Sequence, residues 1–254
     1  MTEGEADPSR TVWTLTGKDA LSFLQGIVTN DLRPLETGPG IVWAALLTPQ
    51  GKYLADFFVV RTPDGAILID IASPIAPATL RRLMMYRLRA DVQIAPGGLH
   101  VRRGLGPVPD GALPDPRHPA LGWRAWTGTP GGTPAIDWDR IRVDHLIPES
   151  GIELIPEDSY ILEHGFERLH GVDFRKGCYV GQEVTARMKH KTDLRKGLVR
   201  VAVEGAAPVG TEITAAGKPA GVLLTQSGGH AIAYLRHDRS DAPLIAGPAR
   251  LHRA

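Results

Sequence analysis

The chain has 254 residues, a formal net charge of +1, 43% hydrophobic residues and 22% charged residues. This composition is typical of a globular protein with a packed core, and it excludes global disorder. Because the charges balance, the chain as a whole has no strong field for nucleic acid or an anionic membrane, and direct nucleic-acid binding is not expected.

The N-terminal segment gives an expectation about location. The first eight residues are acidic and lack an apolar stretch, which argues against a signal peptide or an arginine-rich transit peptide. The longest apolar run, residues 41–47, is too short to span a bilayer. We therefore expect a soluble cytoplasmic protein without membrane contact.

The first hundred residues predict helices and strands in alternation. Residues 19–26 are typical of a short helix that ends at glycine. The β-prone segments 41–47, 53–60 and 66–71 are separated by turns rich in Pro and Gly, and they predict an antiparallel meander. A helix at 78–88 and short strands at 92–94 and 99–102 follow. This order indicates an α+β fold rather than a parallel, doubly wound one.

The rest of the chain predicts a connector and a barrel. Residues 104–134 are dense in Gly and Pro, which predicts an extended connector with one strand at 121–126. Helices are predicted at 139–146 and 181–190. Short strands at 198–203, 212–215, 220–225, 231–235 and 249–253 predict a small β-barrel. We thus expect two α+β subdomains within residues 1–192 and a barrel domain at residues 193–254.

The cysteine count limits the chemistry. Cys178 is the only cysteine, which excludes an intramolecular disulfide and a cluster site built on several thiolates of this chain. We therefore expect no tightly bound metal or cluster. A lone cysteine is more often a small buried hydrophobic side chain than a reactive thiol, and this alternative stays open for Cys178.

The neighbours of Cys178 favour a reactive thiol. Gly177 and Gly181 lie on either side of it, so the backbone can take positive φ or approach a ligand closely. A helix start after Gly181 would favour an anion through its free amides and positive end. Lys176 and Arg187 add positive charge. Together these features would lower the pKa of the Cys178 thiol and raise its thiolate fraction.

The same segment carries a family resemblance. Residues 176–183 read K-G-C-Y-V-G-Q-E and match the signature K-G-C-Y-x-G-Q-E of the YgfZ/Iba57 (CAF17-like) family. Tyr179, Gln182 and Glu183 complete this motif loop. Residues 23–31 resemble the family segment F-L-Q-G-Q-x-T-N-D, with Ile27 in place of the second glutamine. The resemblance extends over nearly the whole chain.

The resemblance implies a fold, a cofactor and partners. Family members are folate-binding proteins of iron–sulfur cluster assembly, related to the glycine-cleavage T-protein, an aminomethyltransferase. Their T-protein-like fold has two intertwined α+β portions and a C-terminal β-barrel around a central opening. Tetrahydrofolate is the implied cofactor. Iron–sulfur client or assembly proteins, including tRNA-modifying enzymes, are the implied partners.

The resemblance also suggests side chains for the folate opening. Trp138 lies ten residues before Pro148, a spacing similar to that of a folate-contacting tryptophan, although a core position is equally compatible. Asp144 stands where relatives carry a glutamate facing the pterin, and its shorter carboxylate could still accept two hydrogen bonds. Asn30 and Asp31 could line the same opening or form a polar turn that ends a helix.

The position of Asp56 bears on the alternatives for function. T-protein relatives carry adjacent acids after a glycine-rich turn, whereas here Ala55 precedes Asp56. The missing acid argues against aminomethyl transfer and leaves Asp56 a structural or ligand-binding role.

We expect an accessory factor for the assembly or repair of iron–sulfur proteins that acts through Cys178. A folate-dependent one-carbon (aminomethyl) transferase or demethylase is the alternative, and a scaffold that binds no folate is a third.

Overall fold

An antiparallel sheet with helices on one face forms the first part of the molecule. The computed structural model describes residues 4–191, 193–239 and 242–253. The elements up to Pro96 are β1 (Glu5–Ala6), which belongs to the second sheet described below, β2 (Arg10–Thr16), α1 (Ala20–Gln25), α2 (Pro34–Thr37), β3 (Gly40–Leu47), β4 (Tyr53–Arg61), β5 (Ile67–Ala72), α3 (Ala76–Arg87) and β6 (Gln93–Pro96).

The order of strands in this sheet is β3–β4–β5–β2–β6, and every neighbouring pair is antiparallel. The predicted meander is confirmed as β3, β4 and β5. Strand β2 was not predicted; it pairs with β5 and β6 and thus lies inside the sheet. The sheet therefore has five strands rather than the three of a simple meander.

Both faces of the sheet are buried, as the side chains of β4 show. Phe57 packs in a cluster with Leu24 of α1 and Leu83 of α3. Its neighbour Phe58 points to the opposite face, where the cluster contains Trp43. Successive side chains of a strand alternate between faces, so β4 anchors two cores at once. Burying each phenylalanine stabilises the fold by about 2–3 kcal/mol.

Residues 104–134 contain more regular structure than the predicted extended connector with one strand: the strand predicted at 121–126 is present at Trp123–Thr127, and Leu113–Pro114 forms a second one. These residues supply two of the four strands of a second sheet, with the order β1–β7–β9–β8. Its further strands are β7 (His100–Gly104), β8 (Leu113–Pro114) and β9 (Trp123–Thr127). Glycine occurs here partly because of close packing: a Cβ on Gly104 would lie 2.5 Å from the Trp123 ring. The Gly and Pro content therefore reflects turns and packing rather than a lack of structure.

A buried ion network joins the two sheets. The carboxylate of Asp70 accepts from Arg10 at 2.6 Å and from Arg124 at 3.1 Å. Asp115 pairs with Arg124 at 3.0 Å and with Arg117 at 2.8 Å. Burial raises the pKa of Asp115, but the guanidinium groups of Arg117 and Arg124 outweigh this effect and hold the pKa at about 2. Each of these buried charges is thus paired with a charge of opposite sign, since an unpaired charge is costly to bury.

Two helices follow the second sheet. They are α4 (Trp138–His145) and α5 (Gln182–Lys191), each within one residue of the predicted range. Asp137 caps α4 by accepting a hydrogen bond from the Arg140 amide at 2.8 Å. Turns dominate the segment between the helices. In the part of the chain that the structure describes, no helix combines the length and hydrophobicity needed to cross a membrane.

A closed β-barrel forms the C-terminal part, as predicted. Its strands are β10 (Lys196–Glu204), β11 (Glu212–Ala215), β12 (Lys218–Ser227), β13 (His230–Arg236), β14 (Leu244–Ala246) and β15 (Ala249–Arg253). The order is β10–β13–β12–β11–β14–β15, and β15 closes the barrel on β10. Of these strands only β14, which has three residues, was not predicted. The boundary between positions 192 and 193 stays a prediction, because position 192 lies outside the described residues.

Candidate functional site

Cys178 lies on an exposed loop that runs into α5. The thiol-bearing residue is exposed, and α5 begins four positions later at Gln182. Asp173 shapes the start of the loop, since its Oδ1 accepts from the amides of Arg175 at 2.6 Å and Lys176 at 3.2 Å. This is a turn of the kind that aspartate forms with the backbone after it. Cys178 is therefore not the small buried hydrophobic side chain that was kept as an alternative.

Lys176 pins the loop to the N-terminal part of the chain. Its Nζ donates to the carbonyl oxygens of Val28 at 2.5 Å, Gln25 at 2.7 Å and Asn30 at 3.1 Å. The side chain is buried, and burial lowers the pKa of Lys176 to about 8. All three donors of the ammonium group have an acceptor. Lys176 was predicted to act on the thiol, whereas the structure gives its hydrogen bonds to the backbone around α1.

Tyr179 and Gly181 fix the end of the loop. The Tyr179 side chain is buried in the hydrophobic cluster that contains Trp43 and Phe58, and burial raises its pKa to about 12. Gly181 has φ +84°, and a Cβ there would lie 2.5 Å from the Thr48 carbonyl oxygen. Gly177 has neither positive φ nor a heavy atom within 4 Å of such a Cβ. Only one of the two glycines therefore has the conformational role that the sequence predicts.

The first turns of α5 carry the remaining polar residues of the motif. Glu183 and Arg187 are exposed one helical turn apart, and Gln182 is half-buried. A carboxylate in the first turn suits the positive end of a helix. Thr185 faces inward and donates to the Gly181 carbonyl at 3.1 Å. An effect of Arg187 on the Cys178 thiol stays a prediction.

The predicted N-terminal motif meets the segment before the loop. The Thr29 hydroxyl donates to the Gly171 carbonyl at 2.7 Å, and the Asp173 amide donates to the Thr29 carbonyl at 3.1 Å. Asn30 donates through its side-chain amide to the carbonyls of His170 at 2.6 Å and Trp43 at 2.8 Å. The two motifs, which are distant in sequence, therefore form one structural unit.

An open groove of about 620 Å³ runs along this unit. Its lining includes Asn30, Asp31, Trp43, Pro116, Glu167, His170, Asp173, Phe174 and Arg175. Asn30 and Asp31 were predicted from the sequence, but Glu167, His170 and Asp173 were not. Asp173 carried a recognisable signal, since an aspartate shortly before a glycine-containing loop is typical of a side-chain-stabilised turn. Hydrogen bonds from Arg33 hold the pKa of Asp31 at about 2.

Two side chains predicted to contact folate lie away from this groove. Trp138 is buried, its Nε1 donates to the carboxylate of Glu5, and the guanidinium of Arg103 lies 4.3 Å from the ring centroid. Asp144 is half-buried on α4 and pairs with Arg140 at 2.8 Å and Arg200 of the barrel at 3.5 Å. Trp138 therefore occupies the core position that the sequence left open, and Asp144 links α4 to the barrel.

Asp56 is buried and hydrogen-bonded on both oxygens. Its Oδ1 accepts from the hydroxyls of Ser150 at 2.5 Å and Tyr53 at 2.7 Å. Its Oδ2 accepts from Trp43 Nε1 at 2.8 Å. Burial, together with this carboxylate, raises the pKa of Tyr53. Three donors in a closed environment suit the structural role, and a ligand-binding role of Asp56 stays a prediction.

Among the described residues, no three His, Cys, Asp or Glu side chains are grouped so that they could hold a metal ion. The thiol of Cys178 thus belongs to no such three-ligand group within the described part of this chain. Any cluster that touches it would need ligands from another molecule, since one thiolate does not hold a cluster.

The architecture is that of a T-protein-like protein. A glycine cleavage system aminomethyltransferase T from Bartonella henselae aligns with a TM-score of 0.65 over 98% of this chain and 85% of its own length, at 14% identity. At this identity the likeness concerns the fold: α+β portions followed by a closed barrel. Residues 195–254 match the family model described as CAF17, C-terminal beta-barrel domain.

Sequence relatives identify the family. An iron-sulfur cluster assembly factor IBA57 homolog, mitochondrial, from Mycosarcoma maydis is 32% identical over 76% of this chain and 55% of its own length. The mitochondrial iron-sulfur cluster assembly factor IBA57 of Mus musculus is 31% identical over 92% of this chain and 78% of its own length. The Homo sapiens protein is 29% identical over the same shares. The chain belongs to the CAF17/IBA57 family.

Proposed function

We propose that this protein is an accessory factor for the assembly or repair of iron–sulfur proteins, and that it acts through Cys178. The observation that carries the proposal is the exposure of Cys178 on a loop whose neighbours Lys176 and Tyr179 are buried. The backbone is thus held firmly while the thiol faces solvent. The curated relatives named as iron–sulfur cluster assembly factors support this role.

The exposed thiol suits transient contact with a second protein. A thiolate is both a nucleophile and a cluster ligand, and Cys178 lies on the exposed loop just before α5. Because this single thiolate cannot hold a cluster alone, the partner would supply the other ligands. The partners that the family resemblance implies, and that we propose here, are iron–sulfur client or assembly proteins, with tRNA-modifying enzymes among the clients.

The groove beside the loop supports tetrahydrofolate as the cofactor. Its volume of about 620 Å³ lies within the range of small-molecule sites. Asp31 and Asp173 would accept hydrogen bonds from the pterin, Phe174 would pack on a ring, and Arg175 would bind a carboxylate of the glutamate tail. Oδ2 of Asp173 accepts no hydrogen bond from any described residue, so it is available. Tetrahydrofolate, when bound, supplies a carrier for one-carbon units.

The transferase alternative has less support from the geometry. It needs an acid that can exchange a proton beside the reactive nitrogens of folate. The sequence offered Asp56 or Asp144 for this task. Asp56 is closed in by Trp43, Tyr53 and Ser150, and Asp144 lies away from the groove and pairs with Arg140. Among the carboxylates of the groove, Asp31 has a pKa of about 2, which makes it a weak base. We therefore place the protein among assembly factors.

Replacement of Cys178 by Ala and by Ser tests the proposed role. Each variant is expressed in cells depleted of the native protein, and the activities of iron–sulfur enzymes are measured. We expect both variants to restore little activity, whereas Ser22→Ala, an exposed change on α1, restores it fully. Full restoration by both cysteine variants would show that the thiol has no role.

Calorimetric titration with tetrahydrofolate tests the cofactor separately. We expect Arg175→Met to weaken binding, because Arg175 lines the groove. Arg187→Met is the matched control, since Arg187 is also exposed but does not line the groove. If the native protein gives no heat of binding with tetrahydrofolate, the folate part of the proposal is wrong, and a scaffold without a cofactor remains.

A further inference from the structure

A second cavity, of about 250 Å³, lies between the barrel and the turn-rich segment 152–164. The barrel strands β10, β12 and β13 form one side, and the turn between β3 and β4 contributes Lys52. It shares no lining residue with the groove beside Cys178. A proposal for a ligand in this cavity therefore does not depend on folate binding in the groove.

His164 offers this cavity a hydrogen-bond acceptor. The residue is 3% exposed, and its Nδ1 lies 2.9 Å from the Tyr160 carbonyl oxygen. A carbonyl only accepts, so Nδ1 carries the hydrogen and Nε2 presents a lone pair. Burial lowers the pKa of His164, which keeps the ring neutral. None of the described residues donates to Nε2.

Glu163 adds a negative charge next to this acceptor. One of its oxygens, Oε2, accepts a hydrogen bond from the hydroxyl of Tyr234, and the Tyr234 ring stacks on His164 at 5.1 Å. The other oxygen has no hydrogen-bond donor within the described ranges. The wall thus presents two acceptors without a donor, the imidazole Nε2 and a carboxylate oxygen.

Two ammonium groups lie at the same cavity. Lys52 Nζ lies 3.7 Å from the centroid of the Tyr160 ring, and Lys196 Nζ lies 5.7 Å from that of Tyr234. Lys52 also donates to the Asp158 carbonyl at 2.5 Å. Neither lysine forms an ion pair with a carboxylate of the described chain. Both positive charges remain available for a carboxylate of a ligand.

Apolar side chains complete the lining. Ile152, Val222 and Leu224 line the same space as the two tyrosine rings. A volume of about 250 Å³ is below that of drug-sized sites, so it suits a ligand of about ten to fifteen non-hydrogen atoms. The cavity therefore combines an apolar interior with separate groups for a cation and an anion.

We propose that this cavity binds a small zwitterion with an apolar body, of the class of an amino acid with an aromatic or aliphatic side chain. The carboxylate of the ligand pairs with Lys52 and Lys196, and its ammonium group donates to Glu163 and to His164 Nε2. The apolar body packs between the two tyrosines. A bound ligand would join the barrel to segment 152–164, because both sides contribute groups.

Nuclear magnetic resonance of the full-length, ¹⁵N-labelled protein tests this site with L-phenylalanine as the probe. We expect saturable shifts confined to the cavity lining: segment 152–164, the turn that carries Lys52, and β10, β12 and β13. Phenethylamine lacks the carboxylate and 3-phenylpropanoate lacks the ammonium group, so each should bind about tenfold more weakly. The absence of shifts with L-phenylalanine up to about 10 mM, or equal binding of all three probes, would overturn the proposal.

Variants locate the binding. Glu163→Gln keeps the size of the side chain and an acceptor for Tyr234 but removes the charge, and Lys196→Met removes one ammonium group. Each should weaken L-phenylalanine binding about tenfold. Lys191→Met, an exposed change that does not line this cavity, should leave binding unchanged. Equal affinities in all three variants would contradict the assignment. If a variant does not fold, the comparison of the three probes on the native protein still tests the proposal.

Discussion

Lys176 Nζ lies 2.5 Å from the carbonyl oxygen of Val28, although 148 positions separate the two residues in the chain. This contact and those to Gln25 and Asn30 tie the loop that carries Cys178 to the end of α1. The position of the thiol therefore depends on a lysine that does not itself need to touch a partner.

Substitution of Lys176 by Met should lower the free energy of unfolding by about 2–4 kcal/mol, because three backbone carbonyls lose a charged donor. Urea denaturation measures this change. The exposed neighbour serves as control: Arg175→Met should stay within about 0.5 kcal/mol of the native protein. Equal changes in the free energy of unfolding for the two substitutions would show that the hydrogen bonds of Lys176 do not stabilise the loop.

Substitution of Gly181 by Ala should destabilise the protein by about 2–4 kcal/mol. The added Cβ would meet the Thr48 carbonyl oxygen at 2.5 Å, in a backbone with φ +84°. Gly177→Ala, in the same loop, adds a Cβ in open space and should be tolerated. Thermal unfolding of both variants is the measurement, and a tolerated Gly181→Ala would contradict the close packing.

The thiol of Cys178 should react with a disulfide reagent such as dithionitrobenzoate in the folded protein, because the residue is exposed. We expect one thiol per chain both before and after addition of denaturant, and none in Cys178→Ala. A thiol that reacts only after unfolding would show that the loop covers it.

Protonation of Asp115 should contribute to acid denaturation. Its pKa is about 2 in the folded protein and 3.8 ordinarily, so its stabilising effect is complete above pH 4. The effect is lost as the pH falls from about 4 to 2, and it amounts to about 2 kcal/mol. Asp115→Asn should flatten the dependence of stability on pH in this window. The exposed Asp110→Asn is the control, and an unchanged slope in Asp115→Asn would contradict the role of the ion network.

Substitution of Asp56 by Asn should lower the free energy of unfolding by about 2–3 kcal/mol, because an amide cannot accept from all three donors. In either orientation its N–H₂ group would face Trp43 Nε1–H or the hydroxyls of Tyr53 and Ser150. Chemical denaturation measures the loss, with the exposed Asp193→Asn as the reference. A fully stable Asp56→Asn protein would show that this carboxylate is kept for something other than structure.

Much of the fold could be predicted from local patterns. The segments that became β3, β4 and β5 are apolar runs between Pro- and Gly-containing turns, and the barrel strands follow the same rule. The second sheet could be predicted only in part: strands were expected at 99–102 and 121–126, but β1, β8 and the pairing of the four strands were not. Its strands carry Arg102, Arg103 and Arg124, and guanidinium groups in a strand resemble a solvent-exposed face until their carboxylate partners are known.

The candidate site was located by its motif, but the roles of its residues depend on distant contacts. Cys178 and the groove residues Asn30 and Asp31 were named from sequence. The hydrogen bonds of Lys176 were not predictable, because they are made to a segment far away in the chain. The sequence left the position of Trp138 open between core and ligand site, and the distant Glu5 decides it. A motif identifies which residues belong together, whereas only the packed chain shows which of them face solvent.

The place of β2 inside its sheet has a consequence for synthesis. The strand is complete at Thr16, but its partners β5 and β6 end only at Ala72 and Pro96. On the ribosome, one hydrogen-bonding edge of β2 must therefore remain unpaired until β5 has been made, and the other until β6 has been made. Unpaired strand edges are prone to aggregate, so β2 is exposed to this risk during early translation.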